Sequence, residues 1–146
     1  MISSDVTVID GVTNTTTTLA VGNLPRAIAV NLVTGKTYVA NSGGNSVTVF
    51  DATSTTTVPV DTNPVSVSIN PSTNRIYVAN KGSSSVTVIF GATNATDRIP
   101  VGTQPGAIAV NPATNKIYVN TLINAADGAM YQAKAGGKNR FEVAKV

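Results

Sequence analysis

One pattern is written three times along this chain. The segment PRAIAVN starts at Pro25, PVSVSIN at Pro64 and PGAIAVN at Pro105, so the prolines are 39 and 41 residues apart. Asn31, Asn70 and Asn111 keep the same two intervals, as do Tyr38, Tyr77 and Tyr118. Val-Thr-Val recurs at Val6, Val47 and Val86, and Val21-Gly22, Val60-Asp61 and Val101-Gly102 precede the prolines by a constant distance. A period near 40 residues means that one supersecondary unit is stacked or arrayed, because a single unit of that size cannot bury its own apolar face.

Each unit carries four short strand signals. The first is the alternating run after the proline (Ala27 to Val30), then Lys36 to Ala40, Ser46 to Phe50, and the Thr-rich run Thr55 to Val60. Turn-forming clusters separate them, such as Asn41-Ser42-Gly43-Gly44-Asn45 and Asn70-Pro71-Ser72-Thr73-Asn74. Pro presets φ there, and Gly and Asn accept the left-handed region. The chain holds 21 Thr and 21 Val among 146 residues, and β-branched side chains favour strands over helices. Evenly spaced short strands with no helical segment between them predict an all-β fold. Four strands in about 40 residues predict a β-propeller blade.

The order of strands within a blade is also legible. After each proline, small residues (Ala27, Ala29, Ser66, Ser68, Ala107, Ala109) alternate with large ones (Ile28, Val30, Val67, Ile69, Ile108, Val110). This suits a strand covered on both faces, hence the innermost strand beside the channel. The Thr-rich runs are polar, and Pro59 and Pro100 each lack a ladder donor, as befits outer edge strands.

The YVAN tetrads at Tyr38 and Tyr77, the NPxTNxIYV segments at Asn70 and Asn111 and the Val-Thr-Val runs resemble the bacterial and archaeal YVTN β-propeller repeat. The match is best over residues 70–88 and 111–119 and extends over residues 1–121. The resemblance implies a propeller and a periplasmic, surface or secreted setting, and it defines no enzyme or cofactor. Residues 1–12 show neither a basic n-region nor an apolar h-region, so no signal peptide is expected within this chain.

The order of units is unusual. It runs third strand, fourth strand, two full sets of four, then first and second strands: three blades in total, cut inside one of them. A ring of three wedges would need about 120° per blade, whereas propellers have typically 4–8 blades. The expectation is a homodimer closing a six-bladed ring, with a homotrimer of nine blades as the alternative. The half-blade Ala107 to Asn120 of one chain would pair with Val6 to Val21 of another.

Residues 122–146 break the repeat. Ile123, Ala126, Met130 and Ala133 form a helical stripe after a candidate N-cap at Asn124, Gly136-Gly137 stops it, and Phe141 to Val146 alternates like a strand. Ala126-Asp127, Ala129-Met130-Tyr131, Ala133-Lys134 and Gly137-Lys138-Asn139-Arg140 resemble the C-terminal end of GGDEF diguanylate cyclase domains. That family's catalytic loop and metal carboxylates have no counterpart here. Two domains are expected, 1–121 as repeats and 122–146 as a helix–strand tail.

Chemistry is mostly excluded. There is no Cys and no His, which removes thiolate metal sites and the commonest general base. Asp10, Asp51, Asp61 and Asp97 are read as turn caps, and the three repeated Tyr as core. No phosphate-binding motif, metal site, cofactor site or membrane span is expected. The net charge is +3, with Lys134, Lys138, Arg140 and Lys145 all in the tail, too sparse a footprint for nucleic acid. Arg26 stands where the other repeats have Val65 and Gly106, so the repeat does not demand it; it is a candidate for the channel mouth. The composition therefore favours a non-enzymatic binding and assembly module. A lyase or hydrolase acting at the channel, or a nucleotide-signalling remnant, are the alternatives.

Overall fold

The computed structural model describes residues 4–122. All regular structure among them is β-strand. The helix and strand expected within the tail, and the GGDEF-like residues there, lie outside the described residues.

Twelve strands run in sequence order. An N-terminal hairpin holds β1 (Asp5–Ile9) and β2 (Thr16–Ala20). The first full blade has β3 (Pro25–Val30), β4 (Thr37–Asn41), β5 (Ser46–Phe50) and β6 (Thr55–Pro59) in that order. The second has β7 (Pro64–Asn70), β8 (Arg75–Asn80), β9 (Ser85–Phe90) and β10 (Thr96–Pro100). A C-terminal hairpin pairs β11 (Ile108–Asn111) with β12 (Lys116–Val119). Every pairing is antiparallel. These are the four-stranded blades expected from the repeat, bracketed by two half-blades.

The inner position of the post-proline strands is confirmed by what they touch. β3 neighbours β7, and β7 neighbours β11, across blade boundaries. The Thr-rich β2, β6 and β10 lie outermost or at free edges and are mostly exposed. Polar side chains, and a proline at the C-terminal end of β6 and of β10, suit them to that edge.

The core lies between blades. Ala27 and Ala29 of β3, with Tyr38, Val47, Val49 and Val58, present one face; Val67, Ile69, Ile76, Val78 and Ile89 of the next blade fill it. Small residues on the inner strand of one blade make room for large ones on the inner strand of the next. The same joint recurs one blade on, where Tyr77, Val86 and Val88 meet Ile108, Val110, Ile117 and Val119. Strand alternation thus gives every blade a small-plus-tyrosine face and a large aliphatic face.

Two corrections follow from that joint. β3 is expected to be covered on both faces, but Ile28 is 53% and Val30 49% exposed, against 9% for Val67, the counterpart of Ile28. The hairpin β1–β2 precedes β3 and contains only third and fourth strands, so among the described residues no inner strand covers the large face of β3. Likewise Tyr38 and Tyr77 are buried at 0% and 7%, but the third tyrosine, Tyr118, is 60% exposed, because among the described residues no strand packs against that face of β11–β12.

Buried amides lock the joints. Asn31 Nδ2 donates to Asn74 Oδ1 at 3.0 Å and Asn70 Nδ2 to Asn115 Oδ1 at 2.9 Å, each crossing a blade boundary. Inside each blade, Asn41 donates to Ser46 Oγ and Thr48 Oγ1, and Asn80 to Ser85 Oγ and Thr87 Oγ1. These bonds explain the asparagine of YVAN: a buried amide persists when its donors are satisfied. At Gly22 a Cβ would lie 2.6 Å from Asn41 Nδ2, so a side chain there would have to displace the Asn41 amide.

Candidate functional site

The chain enters each inner strand through a strained turn. Leu24, Asn63 and Gln104, each just before a repeat proline, have φ of 54°, 56° and 50°. Asparagine accepts that left-handed region readily, whereas a bulky side chain there is strained. A bulge follows at once. Pro25 pairs with Asn41 and Ala27 with Ala40, leaving Arg26 without a partner residue. Val65 is skipped in the same way between Pro64 and Ser66. In the third unit the amides of Gly106 and Ala107 both reach Asn120, the first its main-chain oxygen at 3.1 Å and the second Oδ1 at 2.6 Å. A bulge twists the strand and re-aims the extra residue.

As a result Arg26, Val65 and Gly106, one from each unit, turn toward a common cavity of about 360 Å³ where the inner strands begin. Gln104, Asn120 and Thr121 add polar groups to its wall, and Lys81 adds a second cation. Arg26, expected at a channel mouth, lies on the wall of this cavity at the start of β3. Lys81 was not singled out from the sequence, although the signal was present: it follows the YVAN tetrad where the other units have Ser42 and Leu122.

The acids sit elsewhere. Asp10 accepts from the amides of Val12 and Thr13, and Asp51 from those of Thr53 and Ser54; these bonds hold both carboxyls below the usual carboxylate range. They cap turns, as expected. Asp61 does not. It accepts from Ser85 Oγ at 2.8 Å and is ion-paired with Arg98, and these two partners lower its pKa. Asp97 is no cap either, since it lies within β10 opposite Val88. Among the described residues no three acids gather in a metal-binding group.

Among the described residues the cavity offers two cations, amide groups and one hydroxyl, with no carboxylate on its wall and no nucleophile set beside a general base.

Comparison with solved structures places the chain among β-propeller proteins. It superposes on hydrazine synthase of Kuenenia stuttgartiensis with a TM-score of 0.62 and 29% identity, over 67% of this chain and 29% of that one. An inactive virginiamycin B lyase from Staphylococcus aureus, solved with quinupristin, gives a TM-score of 0.68 at 9% identity, over 84% and 50%. A nidogen/laminin complex gives 0.67 at 12% identity, over 82% and 51%. The chain thus spans about half, or less, of the length of these neighbours. They include enzymes and a binding assembly, so the shared fold leaves activity open. No protein-family model matches the sequence, and no curated protein matches it significantly.

Proposed function

We propose that this chain is a non-enzymatic assembly module of YVTN type, in which residues 1–121 close a six-bladed ring by pairing with a second copy. The observation that carries this reading is a match between two uncovered surfaces. Ala107, Ala109 and Tyr118 form a small-plus-tyrosine face against which no blade of the described residues packs. Ile28 and Val30 form a large aliphatic face lacking inner strands before it. Elsewhere in this molecule those two faces pack together. Placing β11–β12 of one copy beside β1 of another completes a four-stranded blade and covers both faces at once.

The register follows from the repeat. Tyr38 pairs with Val49 and Val39 with Thr48, while Tyr77 pairs with Val88 and Val78 with Thr87. By the same rule Tyr118 would face Val8 of the second copy, and Val119 would face Thr7. Closure removes two exposed strand edges per joint, which otherwise invite uncontrolled pairing. One contact would be missing: Gly35 stands where Asn74 and Asn115 stand in later units, so no amide bridge crosses this joint. Association should therefore depend on concentration.

The test is the mass in solution by light scattering, over a range of concentrations. A particle of twice the 14.9 kDa of one chain is expected, and three times that mass would correct the blade count to nine. Because the chain has no cysteine, the double variant Thr7→Cys/Val119→Cys should form disulfide-linked species between chains on oxidation. A well-folded particle that stays at the mass of one chain refutes the proposal.

A further inference from the structure

We infer that the cavity at the inner-strand entry is a binding site for a small anion carrying carboxylate or phosphate groups. The inference goes beyond self-assembly, since both cations and the polar side chains named for it belong to one chain.

Three observations converge. First, Arg26 and Lys81 come from neighbouring blades and line one cavity. Neither is imposed by the repeat, whose equivalent positions hold Val65 and Gly106, and Ser42 and Leu122. Second, Arg26 is the extra residue of a bulge. Its main chain therefore does no ladder work, and its side chain is free to be aimed by the bend. Third, the charge is unbalanced. Asp61, at the same end of the blades, is already taken by Arg98 and Ser85; Asp5 shares with Arg26 only a separate cavity beside β1, and no carboxylate among the described residues lines this one. A guanidinium presents a planar fork that fits carboxylate or phosphate through two parallel bonds. An ammonium adds a mobile point charge opposite it. A volume of about 360 Å³ admits a small molecule but not a polymer, and the Gln104, Asn120 and Thr121 side chains can bond its polar remainder.

The experiment is a titration of the amide spectrum of the isotope-labelled protein at constant ionic strength. One arm uses inorganic phosphate and the other malonate, so that the two chemistries are told apart. Saturable shifts are expected at the amides of Gly106, Asn120 and Thr121, which line the cavity. Arg26→Gln and Lys81→Gln should each weaken binding about tenfold, the loss typical of one charge-assisted hydrogen bond. Lys36→Gln, at the opposite end of the blades, should change it less than about twofold, as a distant screened charge does. Shifts that grow linearly without saturation in both arms, or an equal loss in all three variants, would overturn the inference. Light scattering on the same samples reports self-association separately, so failure of one reading does not mask the other.

Discussion

Tyr77 and Tyr118 occupy the same place in successive units, yet replacing each by alanine should give opposite phenotypes. Tyr77 is 7% exposed and packed against Ile108 and Val110 within one chain. Tyr77→Ala should cost ~3 kcal/mol of chain stability, the cost of truncating a buried aromatic, at every protein concentration. Tyr118 is 60% exposed, so Tyr118→Ala should change the stability of the dilute chain by less than ~0.5 kcal/mol. Its effect falls on the joint. If the joint buries Tyr118 as fully as Tyr77, about half of its ~200 Å² side-chain surface leaves water on assembly. At ~25 cal/mol per Å² this is ~2.5 kcal/mol per joint. A closed twofold ring has two joints, hence ~5 kcal/mol and a dimer dissociation constant more than a thousandfold weaker, at ~1.4 kcal/mol per decade. Urea denaturation at low concentration and sedimentation equilibrium over a wide concentration range measure the two effects separately. The reasoning is refuted if Tyr118→Ala sediments like the parent chain, or if both variants lose the same stability in dilute solution.

The strained turn before β3 gives a second expectation. Leu24 holds φ of 54° where the next unit has Asn63 at 56°, so Leu24→Asn should raise stability by ~0.5–1 kcal/mol, seen as a higher urea midpoint. Acid titration supplies a third. Asp10, Asp51 and Asp61 all have carboxyls held below the usual value by hydrogen bonds, and Asp61 also by Arg98. The stability they contribute is complete above the unfolded carboxylate value of about 4 and is lost as pH falls through their lower folded values. Thermal melts should be flat in this respect from pH 7 to about 5 and decline below about 4, and Asp61→Asn should blunt that decline.

Much of the blade was legible because repetition separates what the fold requires from what one position happens to hold. Strands such as Ser46–Phe50 and the rank of the post-proline strands followed from period, alternation and proline placement. Those are local properties, decided by side-chain geometry over a few residues. Arg26 was legible as an exception for the same reason: its counterparts differ. Lys81 is an equal exception, but nothing in its local sequence says that it shares a cavity with a residue 55 positions earlier.

Sequence alone determined the unit, its strand order and the cut inside a blade, since each is encoded by short-range pattern. Tertiary structure decided what those units do to one another. It set which face of β3 is left bare, turned Tyr118 from a core residue into a surface one and diverted Asp61 from a turn cap to Arg98. The bulges that set Arg26 on the wall of a cavity also appear only there. Such features depend on which neighbour is present across a blade boundary, and burial is a property of the pair of surfaces rather than of either strand.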